Sequence, residues 1–410
     1  MKARQFFLKM FYLGVFLFSI SILLPFNFRN IPLIIFSVVT IYFFSKTKSN
    51  DEKKYITILV VNTLYFFFML ISIFYTGNLS EGGENLLSVF SLLIVPLTFY
   101  AVYTRNNINP AVARDRLFKF FFISTILFFL AILIYTFFNG YMTKTYLLHY
   151  PERIAVKFGK YSMHPLYASM FVVISLIFST AIFKDLKRGH SKVLLFISIA
   201  FLFCQLILLA RKGPILITAL IFLLYFISLK NRKAVLYFIL SIILFTGLIF
   251  INQSLKDRFF ELASALSSSD FASPGSTSTR IRIYNFSLDA ILNAPIFGYG
   301  IGDVKDILSQ YYIENNSTYF NSHNQFLGAW LSSGIMGLFS LLAVFVIGFK
   351  KAIKSKDFVY FSILFLFFTM ALIENYIERQ NGVLLFSFFI NFFAFESINN
   401  HDKRGVNARA

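Results

Sequence analysis

The strongest constraint on this chain is where its charges are missing. Apolar stretches without a charged side chain recur at 10–28, 30–45, 55–76, 86–104, 120–138, 165–183, 193–210, 213–229, 234–255, 324–349, 358–373 and 383–395. A bilayer core of ~30 Å needs about 20 such residues as helix. A chain of 410 residues that is 57% hydrophobic and 14% charged cannot cover a soluble surface with so few charges. The same balance excludes disorder, which requires low hydrophobicity. The predicted fold is an all-α polytopic membrane protein of about 12 transmembrane helices. The second, eleventh and twelfth spans are short, which predicts tilt or displaced boundaries there.

Lys and Arg then orient the helices. With the N-terminus placed in the cytoplasm, 25 of the 38 fall in the N-terminal segment, alternate connectors and the tail, following the positive-inside rule. Both termini are thus expected in the cytoplasm. The first span follows Lys2, Arg4 and Lys9 without a small-residue cleavage site and is expected to be retained. The net charge of +19 is read as topological, because its cations are scattered rather than gathered on one face, and no nucleic-acid partner is implied. Three regions follow: helices 1–9 over 1–255, a large outer loop over 256–323, and helices 10–12 with a tail over 324–410. Cys204 sits within an apolar run and reads as a small buried hydrophobe.

Several polar groups stand at outer ends of spans. Arg211 lies in a near-loopless break between two apolar helices. The large loop carries Arg280, Arg282 and Tyr284 in an amphipathic helical rhythm running to Leu292. A second short amphipathic stretch is expected near 303–312, and both should lie on, or dip into, the outer face. Between them runs Pro295-Ile-Phe-Gly298-Tyr-Gly300-Ile-Gly302, whose glycine spacing is wrong for a dinucleotide fingerprint. It reads either as a turn joining two helices or as a backbone nest for an anion. Gly334 and Gly337 read as a helix-packing surface. An arginine at the hydrocarbon edge needs a carboxylate, a lipid phosphate or a bound anion, and guanidinium suits bidentate capture of phosphate oxygens. His164 and His323 open membrane spans, and Asn324 and Gln325 follow His323 directly. Neither a carboxylate pair nor a His/Cys/Asp cluster with metal-ligand spacing stands out, so the chemistry is expected to need neither metal nor cofactor.

His323-Asn324-x-x-Leu327 followed by Gly334 and Gly337 resembles the signature of the bacterial O-antigen ligase and polymerase superfamily. Arg280 with Tyr284 four residues on, the glycine-rich run, Arg211-Lys-Gly and His164-Pro165-Leu-Tyr167 match it in order, over about 161–345. The chain departs from the pattern at Ala210, where Ser is usual, and at Tyr284, often Trp. It departs also at Ser332, where many members carry Glu nine residues after the His. The resemblance implies a glycosyltransferase of the bacterial inner membrane, its active site facing the periplasm. Its donor would be an undecaprenyl-diphosphate-linked glycan, and its acceptor lipid A–core or a second lipid-linked glycan. Arg211 and Arg280, with Arg282 as a weaker third, would hold the diphosphate. His323 would orient or deprotonate the acceptor hydroxyl, with inversion at the anomeric carbon. His164, Tyr284 and Asn324 would contact the glycan or support these groups. Ligase and polymerase activities both belong to this superfamily. A transporter or flippase of a lipid-linked sugar or anion is the reading from another class, and the lack of charge mid-span speaks against it.

Overall fold

The computed structural model describes residues 2–44, 52–105, 108–139, 150–187, 189–230, 276–294, 296–314 and 321–407, with small pieces at 247, 256–257 and 260–261. Among the described residues, regular structure is helical throughout, as the charge-free runs require. Seven helices are long and apolar enough to cross a membrane, and shorter apolar helices occupy Leu8–Ser19, Phe26–Tyr42, Lys212–Ser228 and Phe358–Ala371. The expected ninth span, 234–255, lies outside the described residues. So does the polar opening of the large loop, apart from its small pieces.

The chain divides into two units. The first covers 1–40 and 107–260. It holds α1 (Lys2–Ser19), most of α2 (Ile31–Phe44), α6 (Pro110–Phe138), α7 (Tyr150–Val156), α8 (Pro165–Asp185), α9 (Gly189–Leu208) and α10 (Lys212–Ser228). Its centre is α8, buried along nearly its whole length. Rings of α6 stack on it, Phe118 on Phe178 at 4.2 Å and Phe121 on Phe171 at 5.3 Å. Buried hydroxyls are satisfied locally or across the helix pair, as with Ser175 donating to Thr125 at 2.9 Å. On α9 the packing is one-sided: Cys204 is exposed, not buried, because α9 turns most of its surface away from the unit.

The second unit covers 41–106 and 261–410. It contains α3 (Glu52–Ser72), α4 (Leu79–Ser88), α5 (Ser91–Arg105), α11 (Ser276–Asn293), α12 (Val304–Glu314), α13 (Gln325–Ser355), α14 (Phe358–Ala371) and α15 (Gln380–Asn407). Aromatic rings join α3, α5 and α15: Phe99 meets Phe388 edge-on at 5.5 Å, and Tyr55 stacks on Phe395. The two amphipathic segments of the large loop form as expected, as α11 and α12. Ile283, Ala290 and Ile291 of α11 share one buried cluster with Leu308 and Tyr312 of α12 and Leu331 of α13.

The glycine-rich turn between α11 and α12 has a structural use. Inside α13, Ser333 and Gly334 leave helical geometry, with Gly334 at φ 67°. In an unbroken helix the Ile335 N–H would donate to the Leu331 carbonyl. Here the Leu331 carbonyl accepts from Tyr299 N–H at 2.7 Å, and Ile335 N–H donates to the Ile296 carbonyl at 3.1 Å. The turn thus replaces the helix's own hydrogen bond with two of its own, leaving neither group unpaired. Three more of its donors are spent: Gly298 N–H on the Ala294 carbonyl, Ile301 N–H on the Ser72 hydroxyl and Gly302 N–H on the Thr76 hydroxyl. The Asp303 carboxylate accepts from Gly77 N–H at 2.6 Å and Asn78 N–H at 2.8 Å. Of the two readings of this run, the structure supports the turn. Gly334 serves a helix break instead of a helix-packing face, since a Cβ there would collide with the Ile296 carbonyl.

Gly334→Ala and Gly298→Ala, both at positive φ with backbone in the way of a Cβ, should each destabilise the protein by at least ~1–3 kcal/mol. Gly83→Ala, whose Cβ meets nothing, should cost little or even stabilise α4. Thermal unfolding in detergent measures the difference.

Candidate functional site

The N-terminus of α13 gathers most of the residues singled out above. Asn324 caps the helix, its side-chain oxygen accepting from Phe326 N–H at 2.9 Å and Leu327 N–H at 3.2 Å. Its amide nitrogen donates to the Leu372 carbonyl at 3.3 Å. The residue therefore shapes the mouth of the helix. His323, just before the cap, adopts φ 45°, a left-handed conformation unusual for a side chain of this size. Its N–H donates to the Asn321 side chain at 3.2 Å. Such a conformation persists only where its surroundings enforce it, and it aims the imidazole.

Glu374, in the connection between α14 and α15, meets that imidazole. Its Oε1 lies 3.2 Å from His323 Nδ1, with both side chains largely buried. Arg280 Nη2 stands 3.9 Å from the other carboxylate oxygen. Burial alone would push the Glu374 carboxyl up. The hydrogen bond and charge of His323, the charge of Arg280 and the Asn375 backbone outweigh it, and hold the carboxyl below its ordinary range. A carboxylate on Nδ1 favours the tautomer in which Nδ1 carries the proton and Nε2 is the base. Among the described residues the one ion pair of Arg280 is the 3.9 Å contact, so most of its guanidinium fork remains to meet an anion.

Tyr284, one turn beyond Arg280, shares its hydroxyl between the Leu372 carbonyl at 2.9 Å and the His323 carbonyl at 3.2 Å. Burial raises its pKa, with Arg280 opposing and Glu374 adding to the rise. It pins α11 to the mouth of α13. Arg282 points elsewhere, Nη2 donating to Thr279 at 3.3 Å, as the two-residue offset predicts.

Behind the imidazole, the 372–379 connection is tied to α13 by polar side chains. Buried Asn375 donates to Ser322 at 2.9 Å and to the Glu378 carboxylate, and Ile377 N–H donates to buried Gln325 at 2.9 Å. Gly328 provides the room, because a Cβ there would stand 2.6 Å from the Asn375 amide.

Arg280, Tyr284, His323 and Asn324 are thus brought together in the second unit. Arg211 and His164 belong to the first. Arg211 is the N-cap residue of α10, with extended backbone at φ −100°. His164 is the N-cap of α8, its Nδ1 accepting from Leu166 N–H at 3.4 Å. The residue that the sequence did not disclose is Glu374. It stands 51 positions after His323, where no local spacing could link them. The expected carboxylate position nine residues after the histidine is Ser332, and it is a carboxylate from a distant connection that meets the ring.

Residues 196–342 match the family model described as O-antigen ligase. Over 154 residues the chain is 31% identical to an O-antigen polymerase of Salmonella muenchen, a stretch covering 37% of this chain and 37% of that relative. The matched span of the family model contains Arg211, Arg280, Tyr284, His323 and the break in α13. By this segment, about a third of its length, the chain is similar to the bacterial O-antigen ligase and polymerase superfamily.

Proposed function

We propose that the protein is an O-antigen ligase-type glycosyltransferase of the bacterial inner membrane. It moves a glycan from undecaprenyl diphosphate to an acceptor hydroxyl, on lipid A–core or a similar glycan, at the periplasmic face. The observation that carries this reading is the Glu374–His323 pair with Arg280 beside it, at the mouth of a membrane helix. In the proposed reaction the acceptor oxygen attacks the anomeric carbon while its proton passes to His323 Nε2. The bond from that carbon to the diphosphate oxygen breaks, and its electron pair leaves with the diphosphate. Attack from the side opposite the leaving group inverts the anomeric configuration. Arg280 stabilises the charge developing on the phosphate oxygens. Glu374 remains ionised, holding the imidazole in its base tautomer and stabilising the imidazolium that forms. This assignment uses no metal.

A polymerase acting on a new lipid-linked repeat is the second reading, and the similarity to the Salmonella muenchen O-antigen polymerase favours it. The chemistry at His323 is common to both. Electrophoresis of lipopolysaccharide from a deletion strain separates them. Loss of the whole ladder with polymer retained on undecaprenyl diphosphate marks a ligase, and a core bearing a single repeat marks a polymerase.

His323→Ala should lower transfer by about 10²–10⁴-fold with membrane insertion intact. Arg280→Ala should cost roughly 10²–10³-fold, and Arg282→Ala distinctly less. Glycan transfer by purified protein in proteoliposomes reads each, and wild-type rates in His323→Ala would remove the proposed base. Glu374 also makes stability depend on pH. Its folded carboxyl is held below the unfolded value, so its contribution is present at neutral pH and disappears as pH falls through the depressed value. Melting temperatures followed from neutral pH to about pH 3 should therefore fall more steeply for wild type than for Glu374→Gln.

A further inference from the structure

The first unit carries a cationic groove where α1 and α6 begin. These two helices run parallel and in register. The Phe16 and Phe120 rings meet edge-on at 5.0 Å, and one turn further the Ser124 hydroxyl donates to the Ser19 carbonyl. Between the helices lies a groove of about 420 Å³. Lys9, Tyr12 and Arg116 line it toward the start of the pair, and Leu13, Phe16 and Phe120 toward the interior. Lys9, Leu13 and Phe16 are spaced to share one face of α1, as Arg116 and Phe120 are to share one face of α6.

The charges in the groove are not spent on protein. Lys9 and Arg116 are exposed, and among the described residues neither is in an ion pair. The neighbouring carboxylate of Asp115 is taken by Lys119 at 2.6 Å. Arg116 rests over the Tyr12 ring, 4.3 Å from its centroid, which holds the guanidinium at the groove. Beyond Lys9, α1 is apolar to Ser19, and beyond Lys119, α6 runs without charge to Phe138. The groove thus begins at the charged ends of two apolar helices and descends roughly 10 Å, from Lys9 to Phe16, between their apolar faces. Leu13 at 43% exposure and Phe120 at 36% leave its deeper half accessible.

An inorganic anion on these cations would leave the apolar half of the groove bare. A zwitterionic lipid brings its own cation to its phosphate, so two protein cations add little to it. We propose that the groove binds one anionic phospholipid, its phosphodiester between Lys9 and Arg116 and the first carbons of an acyl chain along Leu13, Phe16 and Phe120. By the positive-inside expectation this lipid belongs to the cytoplasmic leaflet. The site goes beyond the transfer reaction proposed above and does not depend on it.

The test compares dioleoyl phosphatidylglycerol with dioleoyl phosphatidylcholine, which share acyl chains and a phosphodiester and differ in net charge. Native mass spectrometry of the full-length protein in detergent reads the binding of the first lipid. Wild type should hold phosphatidylglycerol at least about tenfold more tightly. Lys9→Gln combined with Arg116→Gln should bring the two lipids within about twofold. Lys9→Arg combined with Arg116→Lys, which keeps both charges, should retain a preference of at least about fivefold. Lys187→Gln combined with Lys192→Gln removes the same charge outside the groove and should leave the preference intact. Leu13→Ser combined with Phe120→Ser should weaken phosphatidylglycerol at least about threefold. The site is overturned by wild type without a preference, or by a preference that survives the Lys9 and Arg116 glutamine variant. It is overturned equally by a preference lost in the Lys187 and Lys192 variant, or by unchanged affinity in the Leu13 and Phe120 variant. Displacement of bound phosphatidylglycerol by millimolar inorganic phosphate marks a simple anion site and overturns the lipid reading too.

Discussion

The second unit depends on a hydrogen bond that one of its helices does not make. Opening α13 at Ser333 and Gly334 separates the Ile335 N–H from the Leu331 carbonyl at a buried stretch of the helix, where an unreplaced partner would be costly. The turn after α11 supplies both missing groups, so the large loop is tied to a membrane helix by backbone. That exchange fixes the depth of the turn and, through the Ile283–Leu331 cluster, the line of α11. The placement of Arg280 and Tyr284 near His323 follows from it. Asp303, Ser72 and Thr76 hold the other side of the turn against the connection between α3 and α4.

The site itself is assembled from three segments remote in sequence: α11, the mouth of α13, and the connection from α14 to α15. A carboxylate and an imidazole taken largely out of water would be costly if left unpaired. Here Glu374 is compensated by His323 and Arg280 together, while Asn375, Ser322 and Gln325 satisfy the buried polar groups behind it. These polar groups hold one another in place, Glu374 on His323, Asn375 on Ser322 and Gln325 on Ile377. The left-handed backbone at His323 is sustained by the same network. A fixed imidazole of this kind is what the base proposed above requires to meet a substrate hydroxyl at one angle.

Much of this was legible in the sequence, and the failures are instructive. The positions of the apolar helices, the amphipathic character of α11 and α12, and the placing of His323 at the start of an apolar helix are local properties. They depend on periodicity, charge and the start of a span. The glycine run was ambiguous, because a nest for an anion and a wedge into a broken helix use the same residues. Gly334 was read as packing, because small residues in membrane helices usually pack and a positive φ leaves no mark in composition. Cys204 was expected inside, because the burial of a helix face depends on which neighbours it has. Asn324 looked like a substrate contact, and its side chain is largely engaged in capping α13.

The sequence by itself determined that this is a helical membrane chain, where its apolar helices lie, and that one histidine and several arginines stand at their ends. Hydropathy and charge act residue by residue, so they can be read in order along the chain. Only the tertiary structure decided that Glu374 faces His323 and that the glycine turn completes α13. Those relations join residues tens of positions apart. They arise from the need of buried donors, acceptors and charges to find partners in space, which no spacing in the chain encodes.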